Sequence, residues 1–188
     1  MSTAREQIIT ATCDLLELQG YHGTGLNEII RQSGSPKGSL YHYFPGGKEE
    51  LAAAAVQQVG EVVLRRIREN LAAEADVVLA VRGFIRDVAE NVERSGYRAG
   101  GPITTVALET AATSERLRLV CGEIYAGWQA VFAARLVAAG WEAARATRVA
   151  ALIIAALEGG ILLSRVERSQ RPLLAVAEEV SQLLAAGG

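Results

Sequence analysis

The spacing of apolar residues constrains this chain more than any other feature, because it follows the period of an α-helix from end to end. We find no segment with the strict alternation of apolar and polar residues that is typical of a half-buried strand. Half of the residues are hydrophobic and only 5% are aromatic, a composition typical of helical bundles. The sequence therefore predicts an all-α fold of about nine helices.

Capping residues, glycines and prolines divide this pattern into helices. Thr3 and Glu6 have the spacing of a capping box at the start of a first helix, which is expected to end at Gly20. Two short helices are expected within residues 24–44, and six longer segments over residues 47–70, 76–93, 103–112, 114–139, 143–166 and 172–185. The predicted domains are residues 1–46, a small three-helix head, and residues 47–188, a larger helical body.

Residues 20–51 have the sequence features of a helix-turn-helix. Thr24 offers a hydroxyl that can cap the first helix, and Gly34 can provide the turn. For the second helix, Ser35 is expected at the cap and Pro36 at the first helical position, where a missing N–H group costs nothing. Two short helices joined by such a turn form a common DNA-binding motif.

Positive charge is concentrated in the same segment. The chain has only two lysines, Lys37 and Lys48, and residues 31–48 contain three cations and no carboxylate. Because the formal net charge of the whole chain is −2, any contact with nucleic acid must come from a local patch. A solvated helical hairpin without a role in DNA binding is the alternative that the spacing leaves open.

The order of residues in this segment is distinctive. It reads Lys37-Gly38-Ser39-Leu40-Tyr41-His42-Tyr43-Phe44, then Lys48-Glu49-x-Leu51, and it is preceded by Thr24, Ile29, Ile30 and Gly34. This order resembles the DNA-binding signature of TetR-family transcriptional repressors over residues 3–52. The segment departs from the family in two places: Ser35-Pro36 replace a small apolar residue and a serine, and Pro45-Gly46-Gly47 is longer than the link in many members.

The resemblance implies a sequence-specific DNA-binding regulator, a repressor that leaves a palindromic operator when a small, largely hydrophobic ligand binds. The predicted DNA contacts are Thr24, Ser35, Lys37, Gly38, Ser39, Tyr41, His42, Tyr43 and Lys48. Lys37 is the candidate for a guanine contact in the major groove. The resemblance assigns phosphate contacts to Tyr41, Tyr43 and Lys48, together with Thr24 at the start of the preceding helix. Packing of Tyr43 inside the head is the alternative for that residue.

In the larger body the resemblance implies a ligand pocket between the helices. The predicted lining is an aliphatic and aromatic set with two carboxylates, consisting of Phe84, Val88, Ile103, Leu108, Glu109, Tyr125, Trp128, Phe132, Ile154, Leu157 and Glu158. Ordinary core packing is the alternative for each apolar member. An ion pair with an arginine across a dimer is the alternative for Glu158.

The last two predicted helices carry apolar residues around more of their circumference than a monomer needs. The resemblance implies that these two helices of each subunit form a four-helix bundle in a homodimer. The predicted interface residues are Val149, Leu152, Ile153, Gly160, Ile161, Leu173, Val176, Val180 and Leu184. Ordinary core packing within one subunit is the alternative.

Other classes of protein lack support in the sequence. Cys13 and Cys121 lie far apart on apolar helical positions, which predicts buried, reduced thiols and a cytoplasmic protein. The apolar run over residues 149–164 contains Glu158 and two glycines, so we predict no membrane span. We find no paired spacing of zinc ligands and no nucleophile or phosphate-loop motif, and therefore predict no metal, no cofactor and no enzymatic activity. A helical ligand-binding or adaptor protein that does not regulate transcription is the alternative function.

Overall fold

A computed structural model describes residues 3–187 of the chain, and within that range all regular structure is helical. The helices are α1 (Ala4–Gly23), α2 (Leu26–Ser33), α3 (Lys37–Tyr43), α4 (Gly47–Ala73), α5 (Val77–Arg94), α6 (Pro102–Thr110), α7 (Glu115–Ala138), α8 (Ala143–Glu167) and α9 (Arg171–Ala185). The prediction of an all-α fold with about nine helices is confirmed for the described residues, and the predicted helix ends differ from the observed ones by a few positions.

The predicted capping box is present at the start of α1. The Thr3 N–H donates to Glu6 Oε2 at 2.8 Å, and the Glu6 N–H donates to Thr3 Oγ1 at 3.2 Å. Near its C-terminal end, α1 leaves helical geometry at Gly20, where φ is 73°. Because a side chain would be strained at that φ, glycine is what allows the chain to turn there and continue through residues 21–23.

The start of α2 differs from the prediction. Gly25 occupies the N-cap, and no side chain caps the helix. The Thr24 hydroxyl donates instead to the Gly20 carbonyl oxygen at 2.7 Å, so it stabilises the end of α1 rather than the start of α2. Gly34 ends α2 with a φ of 63°, in agreement with the predicted turn.

The start of α3 is also one residue later than predicted. Pro36 is at the N-cap and Lys37 is the first helical residue. The Ser35 side chain is buried against α1, where its hydroxyl lies 3.5 Å from both the Ala4 carbonyl oxygen and Gln7 Oε1. Ser35 therefore joins α3 to α1 instead of capping α3.

The described chain divides into two compact units. The first comprises the chain up to Glu61 together with Gly101–Ile124, and the second comprises Val62–Gly100 together with the chain from Tyr125 onward. The boundary therefore falls inside α4 and inside α7. The predicted domains 1–46 and 47–188 stay a prediction, and residues 1, 2 and 188 lie outside the described part.

In the first unit, α1 packs against α2, α3 and α6. The buried apolar residues of this unit come from the N-terminal part of the chain and from residues 101–124. They include Ile8, Leu16, Ile29, Leu40, Phe44, Leu51, Ile103 and Leu117. Gly60 of α4 faces Ile124 of α7 closely, since a Cβ at Gly60 would lie 2.7 Å from Ile124 Cγ1. This core fixes α3 on one side of α1 and α6 on another.

In the second unit, α5 and α8 both pack against α9 and against each other. The rings of Phe84 and Phe132 meet edge to face, with 5.8 Å between centroids. The guanidinium of Arg135 closes the end of α4, because it donates to the Leu71 carbonyl oxygen at 3.2 Å, to that of Glu74 at 3.0 Å and to that of Ala75. The Leu71 carbonyl belongs to the last turn of α4, where a helix end leaves carbonyl groups without partners, and those of Glu74 and Ala75 follow in the link to α5.

Within the described residues, α8 is long and apolar enough to cross a membrane by length and composition. The helix has 25 residues, so it extends beyond the apolar run over residues 149–164 on both sides. Of its most apolar window, however, 44% is buried inside the protein, and α8 packs against α5 and α9. The buried side of α8 therefore belongs to the core of the second unit.

Candidate nucleic-acid interface

α3 carries most of the predicted DNA contacts on one short helix. Leu40 and the C-cap residue Phe44 are fully buried on its inner side, which holds the helix against the rest of the first unit. The remaining positions point outward: Lys37, Gly38, Tyr41, His42 and Tyr43 are exposed, and Ser39 is half-buried. α3 therefore presents an ammonium group, a bare backbone position, hydroxyls and aromatic rings together.

The rings at the end of α3 are accessible from solvent. Tyr43 is 39% exposed, so the alternative in which it packs inside the head is wrong. The His42 ring lies edge-on to the Tyr43 ring, with 5.0 Å between centroids. This contact orders both side chains at the surface, where each offers a hydrogen-bonding group.

The structure does not bring Thr24 or Ser35 to this surface. Thr24 is 1% exposed and Ser35 is 6% exposed. Their hydroxyl groups make the contacts within the head described above, with Gly20 and with α1. Their side chains thus support the helix-turn-helix from inside, and neither offers its hydroxyl to an outside ligand.

Lys48 lies at the start of α4 and is half-buried. Its Nζ atom is 4.5 Å from the centroid of the Tyr21 ring, within the range of a cation–π interaction. Burial lowers the pKa of Lys48, and the negative charge of Glu109 acts in the opposite direction. Burial and the charge of Glu49 raise the pKa of Tyr21. The side chain of Lys48 therefore rests on the turn at the end of α1.

The two carboxylates that follow Lys48 are engaged within the protein. Glu50 Oε2 accepts the Gly46 N–H at 2.7 Å. Glu49 Oε1 accepts the hydroxyl of Ser114, which precedes α7. Glu50 thus caps the chain just before α4, and Glu49 ties the start of α4 to the residue that precedes α7.

The predicted ligand-binding residues are distributed over both units. The second unit contains Phe84, Val88, Tyr125, Trp128, Phe132, Ile154, Leu157 and Glu158, most of them buried or half-buried. The Tyr125 hydroxyl donates to Glu158 Oε1 at 3.3 Å, and the Tyr125 ring meets the Trp128 ring edge-on at 5.4 Å. These contacts place a carboxylate beside two aromatic rings, and their role in ligand binding stays a prediction.

The remaining three predicted ligand residues lie in the first unit. Ile103 is buried in its core. Leu108 is 82% exposed, so it does not line an interior pocket. Glu109 turns toward α1, where its Oε2 atom accepts the His22 N–H at 2.7 Å. The structure therefore gives the carboxylate of Glu109 a partner at the C-terminal end of α1.

Most of the predicted dimer residues are buried within one chain. They are Val149, Ile153, Gly160, Ile161, Leu173, Val180 and Leu184. A Cβ at Gly160 would lie 2.9 Å from Leu173 Cδ2, so this glycine allows α8 and α9 of one chain to approach each other closely. Leu152 is 51% exposed and Val176 is half-buried, so these two remain available to a partner.

An open apolar groove lies between α8 and α9. This groove was not predicted from the sequence, although Leu152, Val176 and Val180 are among the predicted dimer residues. It is lined by Leu152, Ala156, Leu163, Pro172, Ala175, Val176, Val180 and Leu183, with Glu167, Arg171 and Glu179 among its charged members. Leu152, Ala156 and Leu163 recur at helical spacing on α8, and Pro172, Val176 and Leu183 recur on α9. This second apolar stripe on each helix is the sequence signal that could have identified the groove.

Two family models match the chain. Residues 8–55 match the model described as bacterial regulatory proteins, tetR family, a range that includes α2, α3 and the start of α4. Residues 77–179 match the model described as transcriptional regulator LmrA/YxaF-like, C-terminal domain. The exposed residues of α3 thus lie inside the N-terminal match, and the second unit contains most of the C-terminal match.

Known transcriptional regulators are similar to this protein along nearly the whole chain. The chain is 42% identical to the uncharacterized HTH-type transcriptional regulator YxaF of Bacillus subtilis, over 96% of this chain and 95% of that protein. It is 39% identical to the HTH-type transcriptional regulator LmrA of the same organism, over 96% of each. Among solved structures, regulatory protein TetR from Rhodobacter sphaeroides is similar with a TM-score of 0.85 and 25% identity, covering 96% of this chain and 98% of that one.

Proposed function

Because this chain belongs to the TetR family of bacterial transcriptional regulators, we propose that it represses transcription from a palindromic operator and leaves it when a small, largely hydrophobic ligand binds. DNA-binding regulation is the function of the family. Repression, the operator symmetry and the ligand are the proposal. The observation that carries it is the exposed, acid-free surface of α3.

The charge distribution supports contacts between this surface and DNA. No carboxylate occurs between Arg31 and Lys48, although the chain as a whole is acidic. A local positive patch attracts the phosphate backbone and makes binding depend strongly on salt. Most phosphate contacts position a protein on the duplex, whereas contacts with base edges select the sequence.

We assign the contacts according to the exposed side chains. The N-terminal turn of α3 enters the major groove, where Lys37 donates to guanine O6 or N7 and Gly38 allows close approach of the backbone. Phosphates are bound by Tyr41, Tyr43 and Lys48. Ser39 and His42 supply further contacts from the same helix. We leave out Thr24 and Ser35, because their hydroxyls are buried.

The proposed operator requires two copies of α3, and the groove between α8 and α9 supports a homodimer. Its lining is mostly apolar, so a second subunit would remove this surface from water. A closed two-fold dimer uses the same surface of both subunits. Its two heads would bind half-sites about 34–36 Å apart or a near multiple of that distance.

The second unit supports the proposed ligand site. Its aromatic rings and the carboxylate of Glu158 form the mixture of apolar walls and few polar groups that small-molecule sites use. We propose a cytoplasmic protein, consistent with a DNA ligand and with two free cysteines. We propose no catalytic activity.

Selection of bound duplexes from random DNA tests this function. The expected result is one palindromic site whose affinity falls when either half-site is scrambled. A thermal-shift screen of lipophilic compounds should then give a ligand that raises the melting temperature and also weakens operator binding. Enrichment of no sequence would contradict the proposed operator, and a ligand that binds without changing operator affinity would contradict the proposed release.

A further inference from the structure

Glu109 of α6 is fitted against the turn that ends α1. Its Oε2 atom accepts the His22 N–H at 2.7 Å, and its main-chain oxygen lies 3.4 Å from His22 Nε2. A Cβ at Gly20 would lie 1.9 Å from Oε1 of the same carboxylate. Only glycine leaves room for this contact, so the turn and the carboxylate fit each other closely.

The same turn also carries Lys48. Tyr21 is the residue between Gly20 and His22, and its ring lies 4.5 Å from the Lys48 ammonium nitrogen. Burial on this ring lowers the pKa of Lys48, and the charge of Glu109 raises it. A carboxylate and an ammonium group from two different helices therefore meet at one three-residue turn, beside the surface that carries the proposed DNA contacts.

We propose that Glu109 is a positioning residue, a counter-charge that restrains the binding of a DNA phosphate by Lys48. This inference rests on the proposed phosphate contact of Lys48. When its flexible side chain extends to a phosphate, Lys48 loses part of its attraction to Glu109. The charge of Glu109 also repels the approaching phosphate. Both effects weaken DNA binding, so removal of the charge should strengthen it.

Glu109→Gln tests the negative charge of Glu109 separately from its hydrogen bond with His22. A glutamine has the same shape and keeps an oxygen that can accept the His22 N–H, but it is neutral. Glu123→Gln is the matched control, because Glu123 is an exposed carboxylate of the same unit and its replacement changes the net charge equally. Both variants are made in the wild-type chain and in Lys48→Ala, and their melting curves establish that they fold.

Binding of a mixed-sequence duplex at low salt gives the first readout. We expect Glu109→Gln to bind about two- to five-fold more tightly than wild type, because interactions between charges near the protein surface are weak, and Glu123→Gln to change affinity less. In the Lys48→Ala background, Glu109→Gln should give a clearly smaller gain, because only the repulsion between Glu109 and the phosphate is then removed. Equal gains in both backgrounds, or no gain in the wild-type chain, would overturn the inference while leaving Lys48 as a phosphate contact. If Lys48→Ala binds like wild type, the proposed contact itself fails, and the inference fails with it.

A second readout needs no DNA. The chain has only two lysines, so labelling with ¹³C-lysine gives two side-chain signals to follow by NMR as pH rises. Because the charge of Glu109 raises the pKa of Lys48, Glu109→Gln should lower the pKa of Lys48. Unchanged titration of Lys48 would contradict the proposed restraint.

Discussion

The ammonium nitrogen of Lys48 lies 4.5 Å from the centre of the Tyr21 ring, which joins the start of α4 to the end of α1. A cation–π contact at a partly exposed site contributes about 0.5–1 kcal/mol, so a DNA phosphate competes with a modest interaction. Lys48 can therefore exchange this ring for the DNA backbone.

Lys48→Ala should weaken binding to all DNA sequences by a similar factor. A lost phosphate contact also makes the slope of log affinity against log salt concentration shallower by about 0.9. Arg86→Ala, which removes an exposed cation of the second unit, is the control and should leave the slope unchanged. Titration of a mixed-sequence duplex at several salt concentrations gives both slopes, and equal slopes for Lys48→Ala and wild type would remove Lys48 from the proposed contacts.

Gly60 should tolerate a methyl group poorly, although alanine favours helices. A Cβ there would lie 2.7–2.9 Å from three side-chain carbons of Ile124, and a β-branched side chain has little freedom to move away. Overpacking of this kind costs about 1–3 kcal/mol, which meets or exceeds the helical gain of about 1 kcal/mol. We expect Gly60→Ala to lower the free energy of unfolding in urea titrations.

Gly83→Ala is the matched control for Gly60→Ala. Gly83 is an exposed residue of α5, and a Cβ there would meet no atom within 4 Å. The substitution should raise the free energy of unfolding by about 0.5–1 kcal/mol, because only the helix propensity changes. A gain of the same size from Gly60→Ala would contradict close packing between Gly60 and Ile124.

Arg135→Met should destabilise the protein by about 2–4 kcal/mol, because three carbonyl groups at the end of α4 lose a charged donor. Arg135→Lys should cost less, since an ammonium group still donates but lacks the planar fork. Arg86→Met, at an exposed position of α5, should change the free energy of unfolding by less than about 0.5 kcal/mol. Urea titrations that give equal stability for Arg135→Met and Arg86→Met would show that this cap contributes nothing.

The thiol of Cys13, a half-buried residue, should make the protein less stable at high pH. Burial raises the pKa of Cys13 from 9.0 to about 12. Below pH 9 the thiol is protonated in both the folded and unfolded states and has no effect on stability. Above pH 9 the unfolded chain releases a proton that the folded protein keeps, so the free energy of unfolding falls as pH rises, by about 1.4 kcal/mol between about pH 8 and about pH 10.

Cys13→Ala tests this pH dependence. Its own cost to stability is the same at every pH, but the variant lacks the thiol that titrates. The loss of stability between the two pH values should therefore be smaller in Cys13→Ala than in wild type by about 1.4 kcal/mol. Equal losses in urea titrations would show that the Cys13 thiol is not shielded from solvent.

Sequence reasoning predicted the helices well because capping and periodicity are local. Thr3 and Glu6 lie three residues apart and form the capping box that their spacing indicates. The role of Thr24 could not be read in the same way, because a hydroxyl can bond forward to a helix start or backward to the carbonyl four residues earlier. In the structure the Thr24 hydroxyl bonds backward, to the Gly20 carbonyl oxygen, at a turn that also contacts Glu109, a residue distant in sequence.

Periodicity also does not show which side of α6, α8 or α9 packs within the chain. Leu108 and Glu109 are neighbours on α6, and no periodic pattern says which of them faces α1. On α8 and α9, apolar residues occur on two sides of each helix. The pattern therefore indicates two buried surfaces, but it cannot tell which packs within the chain and which remains open, as the groove beside Leu152 does.

The central claim is that α3 reads the base sequence of the operator through Lys37. The most direct test measures the affinities of wild type and Lys37→Ala for the selected operator and for its single-base-pair variants at one salt concentration. The account predicts that Lys37→Ala loses about 1–3 kcal/mol of discrimination at one base pair in each half-site and keeps it elsewhere. Discrimination that is unchanged at every position would contradict the claim.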